Sequence, residues 1–268
     1  MPSSSNYPHI LSKVLRGIWV ITDAKFQAIE SVLASRLSGE FAQDALIDGD
    51  SPTAEPHTIA HTLVVPIYGI IGKHLSLMEM MSGSCDLDSV NSALAVAEAD
   101  SNIEKVILDF RSPGGTVTGV PETARRIANL AESKHVVSFT DSECCSGALW
   151  LASQASEFYC TESAEVGSVG VYLALLDKSR MYENEGVKFN AISAGKYKLS
   201  GASFRPLSTD ERKMFQAQVD TIHEQFKTAV RTNRNVPDES CEGQVFTGAD
   251  AIIAGFVDSL VDDIEDLL

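Results

Sequence analysis

Cations are scarce in this chain: 21 lysines and arginines stand against 37 aspartates and glutamates over 268 residues, for a formal net charge of −16. Non-specific phosphate binding needs clustered Lys and Arg, so no nucleic-acid partner is expected. Long apolar runs are missing as well. The first, Ile10 to Ile21, is interrupted by Lys13 and Arg16 and falls short of the roughly 20 apolar residues that a bilayer span takes. It lacks the unbroken apolar core and small-residue cleavage site of a secretory signal. It reads as an amphipathic or buried helix, and no stable membrane insertion is expected. Cysteine is sparse and unpatterned. Cys85, Cys144, Cys145, Cys160 and Cys241 are odd in number and form no CxxC pair, which argues against a disulfide framework and against a zinc site. The expectation is therefore no metal, no cofactor, and a reducing cytoplasmic setting.

What is present is ordinary for a globular protein: 44% apolar and 22% charged residues. The length suits one α/β domain with a small extension, or two small domains. Residues 1–58 read as a helical N-terminal extension and linker. Thr22 is placed to cap a helix whose apolar positions Phe26, Ile29, Leu33 and Leu37 share one face, and Ser38-Gly39 ends it. Residues 40–58 crowd Asp, Gly, Ser and Pro with little apolar pattern. From residue 59 to 268 the pattern is that of one further domain. His61–Ile70, Lys105–Phe110, His135–Thr140 and Glu157–Cys160 read as strands; Leu87–Ala97, Pro121–Glu132 and Gly147–Ala155 read as helices. Strands alternating with helices imply βαβ units and a mostly parallel sheet. Val169–Leu173 and Lys188–Ile192 are further strand candidates, and Ser208–Asn233 is the longest helix candidate.

Two loops carry a chemical signal. Ser112-Pro113-Gly114-Gly115 follows the strand KVILDF directly. Paired glycines there let the chain turn sharply and let bare amides approach a ligand, where they can stabilise an oxyanion; alone, the motif is more often a plain turn. Cys145-Ser146-Gly147-Ala148 lies between the strand HVVSFT and a helix. A serine at such a turn exposes its oxygen at a helix N-terminus, and Gly147 leaves room for a substrate and offers a second amide. Alone, it is more often an N-cap. The pair is more specific than either loop, because the two strand ends would lie side by side at one edge of the sheet, where open α/β folds place ligands.

A serine nucleophile needs a base. None of the six histidines (His9, His57, His61, His74, His135, His223) stands in a glycine-rich loop after a core strand. A lysine does, in Ala194-Gly195-Lys196-Tyr197-Lys198 after KFNAIS. Lysine acts as a base only when neutral, and bringing its ordinary pKa of about 10.4 down to roughly 7–8 takes about 3–5 kcal/mol from desolvation or a nearby cation. Spacing alone does not choose between Lys196 and Lys198.

At these residues the chain resembles the signal peptide peptidase A family of serine peptidases and, within it, the tailed-phage capsid (prohead) protease branch. The similarity runs through residues 105–115 and 144–153, through Gly167-Ser168-Val169-Gly170-Val171, and through the AGKYK segment with Ser208-Thr209-Asp210-Glu211-Arg212. It ends with Phe246–Ala251 and Ala254-Gly255-Phe256-Val257-Asp258. Tyr7-Pro8-His9-Ile10 and the following helix resemble the leader of the phage branch. The resemblance implies a ClpP/crotonase-type ββα spiral assembled into a homo-oligomeric ring, and a Ser–Lys dyad. Ser146 would be the nucleophile and Lys198, closing the Gly-x-x-Lys pattern, the base. The amides of Gly147 and of Gly114 or Gly115 would form the oxyanion hole. Protein or peptide substrates follow, capsid or scaffold proteins among them, in the host cytoplasm or the phage prohead. The cysteines before Ser146 are a departure that makes Cys145 a rival nucleophile. A crotonase-type acyl-CoA enzyme and a silent assembly protein of the same fold are the alternatives.

Overall fold

Lys105–Phe110 and His135–Thr140 are apolar on both faces, as strands covered on both sides must be, and they form the centre of the structure. The computed structural model describes residues 17–22, Gln27, 54–81 and 83–268. In chain order the strands are β1 (Trp19–Ile21), β2 (His57–Ile59), β3 (Thr62–Tyr68), β4 (Ile70–Gly72), β5 (Ser84–Asp86), β6 (Lys105–Ser112), β7 (Gly114–Thr116), β8 (His135–Cys145), β9 (Glu157–Cys160), β10 (Glu165–Gly167), β11 (Val245–Thr247) and β12 (Ser259–Leu260). The helices are α1 (Leu77–Met81), α2 (Leu87–Ala99), α3 (Val120–Ala131), α4 (Gly147–Ala152), α5 (Ser179–Asn184), α6 (Thr209–Asn233) and α7 (Gly248–Ile253).

Two compact units divide the chain. Val20–Gly170 with Glu224–Leu268 form one; the described residues of the other are Gly17–Trp19 and Val171–His223. In the larger unit, β3, β6, β8 and β9 pair in parallel, and β10 continues the parallel set beside the last residues of β8. A smaller sheet has the order β1-β7-β4-β5. Each turn of chain thus runs from a long strand of the larger sheet through the smaller sheet and on to a helix: β3, then β4 and β5 with α1 between them, then α2; and β6, β7, α3. That is the ββα order of the expected spiral. Val64, Ile107, Val137 and Phe139 form a core on the larger sheet that the C-terminal Leu267 also enters. The smaller unit holds α5, the start of α6 and long irregular segments, with an antiparallel bridge between Trp19 and Tyr172.

Three expectations change. The run Ile10–Ile21 is described only from Gly17 on, and its last residues form β1, buried and strand-paired, not a helix; Trp, Val and Ile suit a strand once a partner edge exists. Val169–Leu173 contributes one bridge residue and Lys188–Ile192 no strand, since the latter is exposed without a pairing partner among the described residues. The Thr22-capped helix over Phe26, Ile29, Leu33 and Leu37 lies outside the described residues, as do residues 1–16 and most of the linker.

Phe139 is 1% exposed at the centre of this core. Phe139→Ala is expected to destabilise the fold by about 3–5 kcal/mol, read from urea unfolding; a loss under about 1 kcal/mol would show that the sheet face does not carry the fold.

Candidate active site

Parallel register brings the two glycine-bearing loops together. Ser112 at the end of β6 pairs with Cys144, and Gly167 at the end of β10 pairs with Cys145. Ser146 follows at once, with α4 starting at Gly147. The chain segments approach closely here: a Cβ on Gly114, whose φ is +98°, would sit 2.9 Å from Gly147 N and 3.0 Å from Cys145 O, and one on Gly147 would be in van der Waals contact with Gly115 N at 3.6 Å. Gly114, Gly115, Ser146 and Gly147 are therefore one cluster. The Gly114 amide donates to Ser112 Oγ at 3.2 Å. The Gly147 amide, in the first turn of α4, has no acceptor within the helix.

Ser146 itself is strained. Its backbone lies at φ 54° and ψ −116°, a region that costs a non-glycine residue on the order of 1–3 kcal/mol. The surroundings hold it there. Ser146 N–H donates to Gly167 O at 2.8 Å, and Trp150 N–H donates to Ser146 O at 3.0 Å. Trp150 is 2% exposed and stacks on Phe226 with ring centroids 4.7 Å apart. The rival reading of Ser146 as an N-cap is not met: its side chain makes no cap hydrogen bond, and Oγ is buried with no hydrogen-bond partner.

His57, His61, His74 and His135 are each turned to a partner other than Ser146, and Cys145 is disfavoured as a nucleophile by its surroundings. His57 and His61 turn to backbone carbonyls, and His74 and His135 to Asp88 and Glu157. Burial pushes the Cys145 thiol far up, and the charges of Glu143 and Glu165 push the same way. Its Sγ–H points to Glu165 O at 3.7 Å. Burial also raises Cys144. Since the thiolate is the reactive form, burial disfavours both thiols as nucleophiles.

Lys196 and Lys198 belong to the smaller unit. Lys196 Nζ donates to Asp210 Oδ2 at 2.9 Å, and this bond, followed by one to Tyr197, raises its pKa and holds it protonated. Lys198 is exposed and forms no ion pair among the described residues. Its loop is a succession of tight turns from Gly195 to Arg205. Besides Lys196–Asp210, a buried side-chain anchor holds it: Arg205 forks onto Glu211, whose side chain is 5% exposed, and donates from Nη2 to Leu199 O at 2.8 Å. Arg205, then the Ser208 amide, hold the Glu211 carboxyl well below the usual carboxylate range. Among the described residues no cluster of His, Cys, Asp and Glu is arranged to hold a metal, and no helix is long and apolar enough to cross a membrane.

The family model described as Peptidase family S49 matches residues 128–266, a span that contains both Ser146 and Lys198. The chain is similar to the capsid assembly protease C of Escherichia phage lambda, at 27% identity over 96% of this chain and 63% of that protein. It is similar to the head-tail preconnector protein GP5 of Enterobacteria phage P21, at 30% identity over 80% of this chain and 43% of that one. It thus spans less than two thirds of both. A crystal structure of an enoyl-CoA hydratase/isomerase family member is similar at a TM-score of 0.40 and 16% identity, covering 77% of this chain and 68% of that one.

Because Ser146 Oγ caps nothing, Ser146→Ala is expected to unfold at a urea concentration no lower than the wild type, with a gain of up to about 1–3 kcal/mol from losing a buried unpaired hydroxyl. A loss of about 1 kcal/mol would restore the N-cap reading.

Proposed function

The chain belongs to peptidase family S49, and we propose that it is a serine endopeptidase in which Ser146 attacks and Lys198 serves as general base. The observation that carries this reading is the Ser146 hydroxyl: buried, unpaired and on a strained backbone, against three clustered glycines. Unpaired buried polar groups and strain are kept where chemistry needs them. In the proposed reaction Lys198 Nζ takes the proton from Oγ as Oγ adds to the peptide carbonyl. The amides of Gly147 and of Gly114 or Gly115 receive the oxyanion. The bond from Gly114 N–H to Ser112 Oγ favours Gly115. The lysine then returns its proton to the leaving amine, and water releases the acyl group by the same steps. No cofactor is needed. Lys198 is preferred to Lys196 because Asp210 keeps Lys196 protonated.

The names of the two phage relatives support capsid or scaffold proteins as substrates, acted on in the host cytoplasm or the prohead. Self-association into a ring is supported by the apolar surface around the lysine loop: Leu176, Met181, Val187, Phe189, Ile192 and Tyr197 are all exposed, Ile192 fully. Exposed apolar patches of this kind mark association sites.

Two measurements test the reading. A fluorophosphonate probe should label wild type at Ser146 and fail on Ser146→Ala and Lys198→Ala, while Lys196→Ala and Cys145→Ala label normally. Labelling of folded Lys198→Ala at the wild-type rate would remove the lysine from the mechanism, and loss of labelling only in Cys145→Ala would move the nucleophile to the cysteine.

If the dyad forms between neighbouring subunits, mixing Ser146→Ala with Lys198→Ala under subunit exchange should restore about one quarter of wild-type peptidase sites, from two independent one-half chances in a symmetric ring. Persistent inactivity after demonstrated exchange would place both residues of each dyad in one chain.

A further inference from the structure

A nucleophile must be reached, yet Ser146 is 1% exposed. The cover over its glycines comes from the far N-terminal side of the sequence. Strand β1 pairs with β7, the strand that begins with Gly114-Gly115. Val20 lies directly on the glycine cluster. A Cβ on Gly114 would come within 2.1 Å of Val20 O; one on Gly147 would meet Val20 Cγ2 at 3.0 Å and Val20 O at 3.2 Å. Two residues on, Thr22 N–H donates to Pro113 O at 3.1 Å. Val20 and Ile21 are 0% and 3% exposed. An extended, apolar segment thus lies along the edge of the glycine strand with a backbone carbonyl against the two glycines that flank the unpaired Ser146 hydroxyl.

A peptide recognised by strand addition looks like this: main-chain bonds to a sheet edge, alternate side chains in pockets. We infer that residues Val20–Thr22 are an internal peptide ligand of the Ser146 site, so that the site takes extended peptides with a β-branched aliphatic residue over Gly147 and must shed this segment before a substrate strand binds. This rests on the proposed role of Ser146 and adds to it the substrate class and the present occupant of the site. The glycines serve this occupant as they would serve a substrate: any side chain at 114 would collide with its backbone.

The test uses the full-length protein and the rate of fluorophosphonate labelling at Ser146. Two variants loosen the segment by different means. Val20→Asp puts a carboxylate at a fully buried position against Gly114 and Gly147; Thr22→Pro removes the N–H that bonds Pro113 O and spares the core. Both should label faster than wild type, by about tenfold or more for Val20→Asp, since a site that is open only part of the time reacts in proportion to its open fraction. Circular dichroism and the urea midpoint confirm that each variant is folded. A folded Thr22→Pro that labels no faster than wild type overturns the inference even if Val20→Asp fails to fold. Peptide cleavage adds a second reading: hexapeptide libraries should be cut fastest with Val or Ile at one fixed position, and equal rates for Val, Ala, Lys and Asp there overturn the specificity claim. Ser146→Ala run alongside separates the two ideas. If it labels like wild type, the nucleophile assignment fails; if it is silent while the loosened variants match wild type, only the occupied-site inference fails.

Discussion

Parallel pairing between β6 and β8 is the constraint on which the site depends. The ladder runs from Lys105↔His135 to Phe110↔Thr140 and then slips, so that Ser112 meets Cys144. The slip is of two residues, one full side-chain period, so it lengthens β8 relative to β6 without turning its side chains to the other face. It lets β8 run on to Cys145 and delivers Ser146 beside Pro113 and Gly114, not one pleat away. Residues 106–110 and 136–140, which set this register, are buried on both faces, so the site rests on a frame that cannot shift.

The strain at Ser146 is supported by the same frame. A positive φ with no glycine persists only where neighbours over-determine it. Here a β10 carbonyl holds the amide from one side and the first turn of α4 holds the carbonyl from the other. Behind that turn, Trp150 stacks on Phe226 of α6. Removing the hydroxyl leaves every one of these contacts in place. Backbone geometry and side-chain chemistry at this residue are therefore separable, and folding places few demands on the hydroxyl.

Much of this was readable in advance, and the exceptions share a cause. KVILDF and HVVSFT announce buried strands by composition, and the two loops after them announce glycines where backbones must approach. β1 was not readable. Its partner β7 is only Gly114-Gly115-Thr116, which has no strand signature of its own, so nothing local tells Trp19–Ile21 that an edge is waiting. The opposite error at Lys188–Ile192 is the same fact inverted: the residues have strand character, and no edge is there to accept them. The extra length of β8 through Asp141-Ser142-Glu143 is not legible either, because polar residues near a sheet's end read as loop. Whether Ser146 caps or waits is a matter of two dihedral angles, and an identical tetrapeptide could adopt either.

The cysteines beside the serine show how environment, not residue type, selects a nucleophile. A thiol is intrinsically the better one, and Cys145 is one residue from the helix N-terminus that would favour its anion. It sits on β8, however, fully buried, and Glu143 and Glu165 add their charge to the cost of that burial. Ser146 follows the strand, at φ 54°, beside the glycine cluster, and its hydroxyl has no hydrogen-bond partner. Exchanging the two residue types would therefore put the thiol at the turn and the hydroxyl in the sheet, and the geometry, not the chemical rank of the atoms, would decide which one could react.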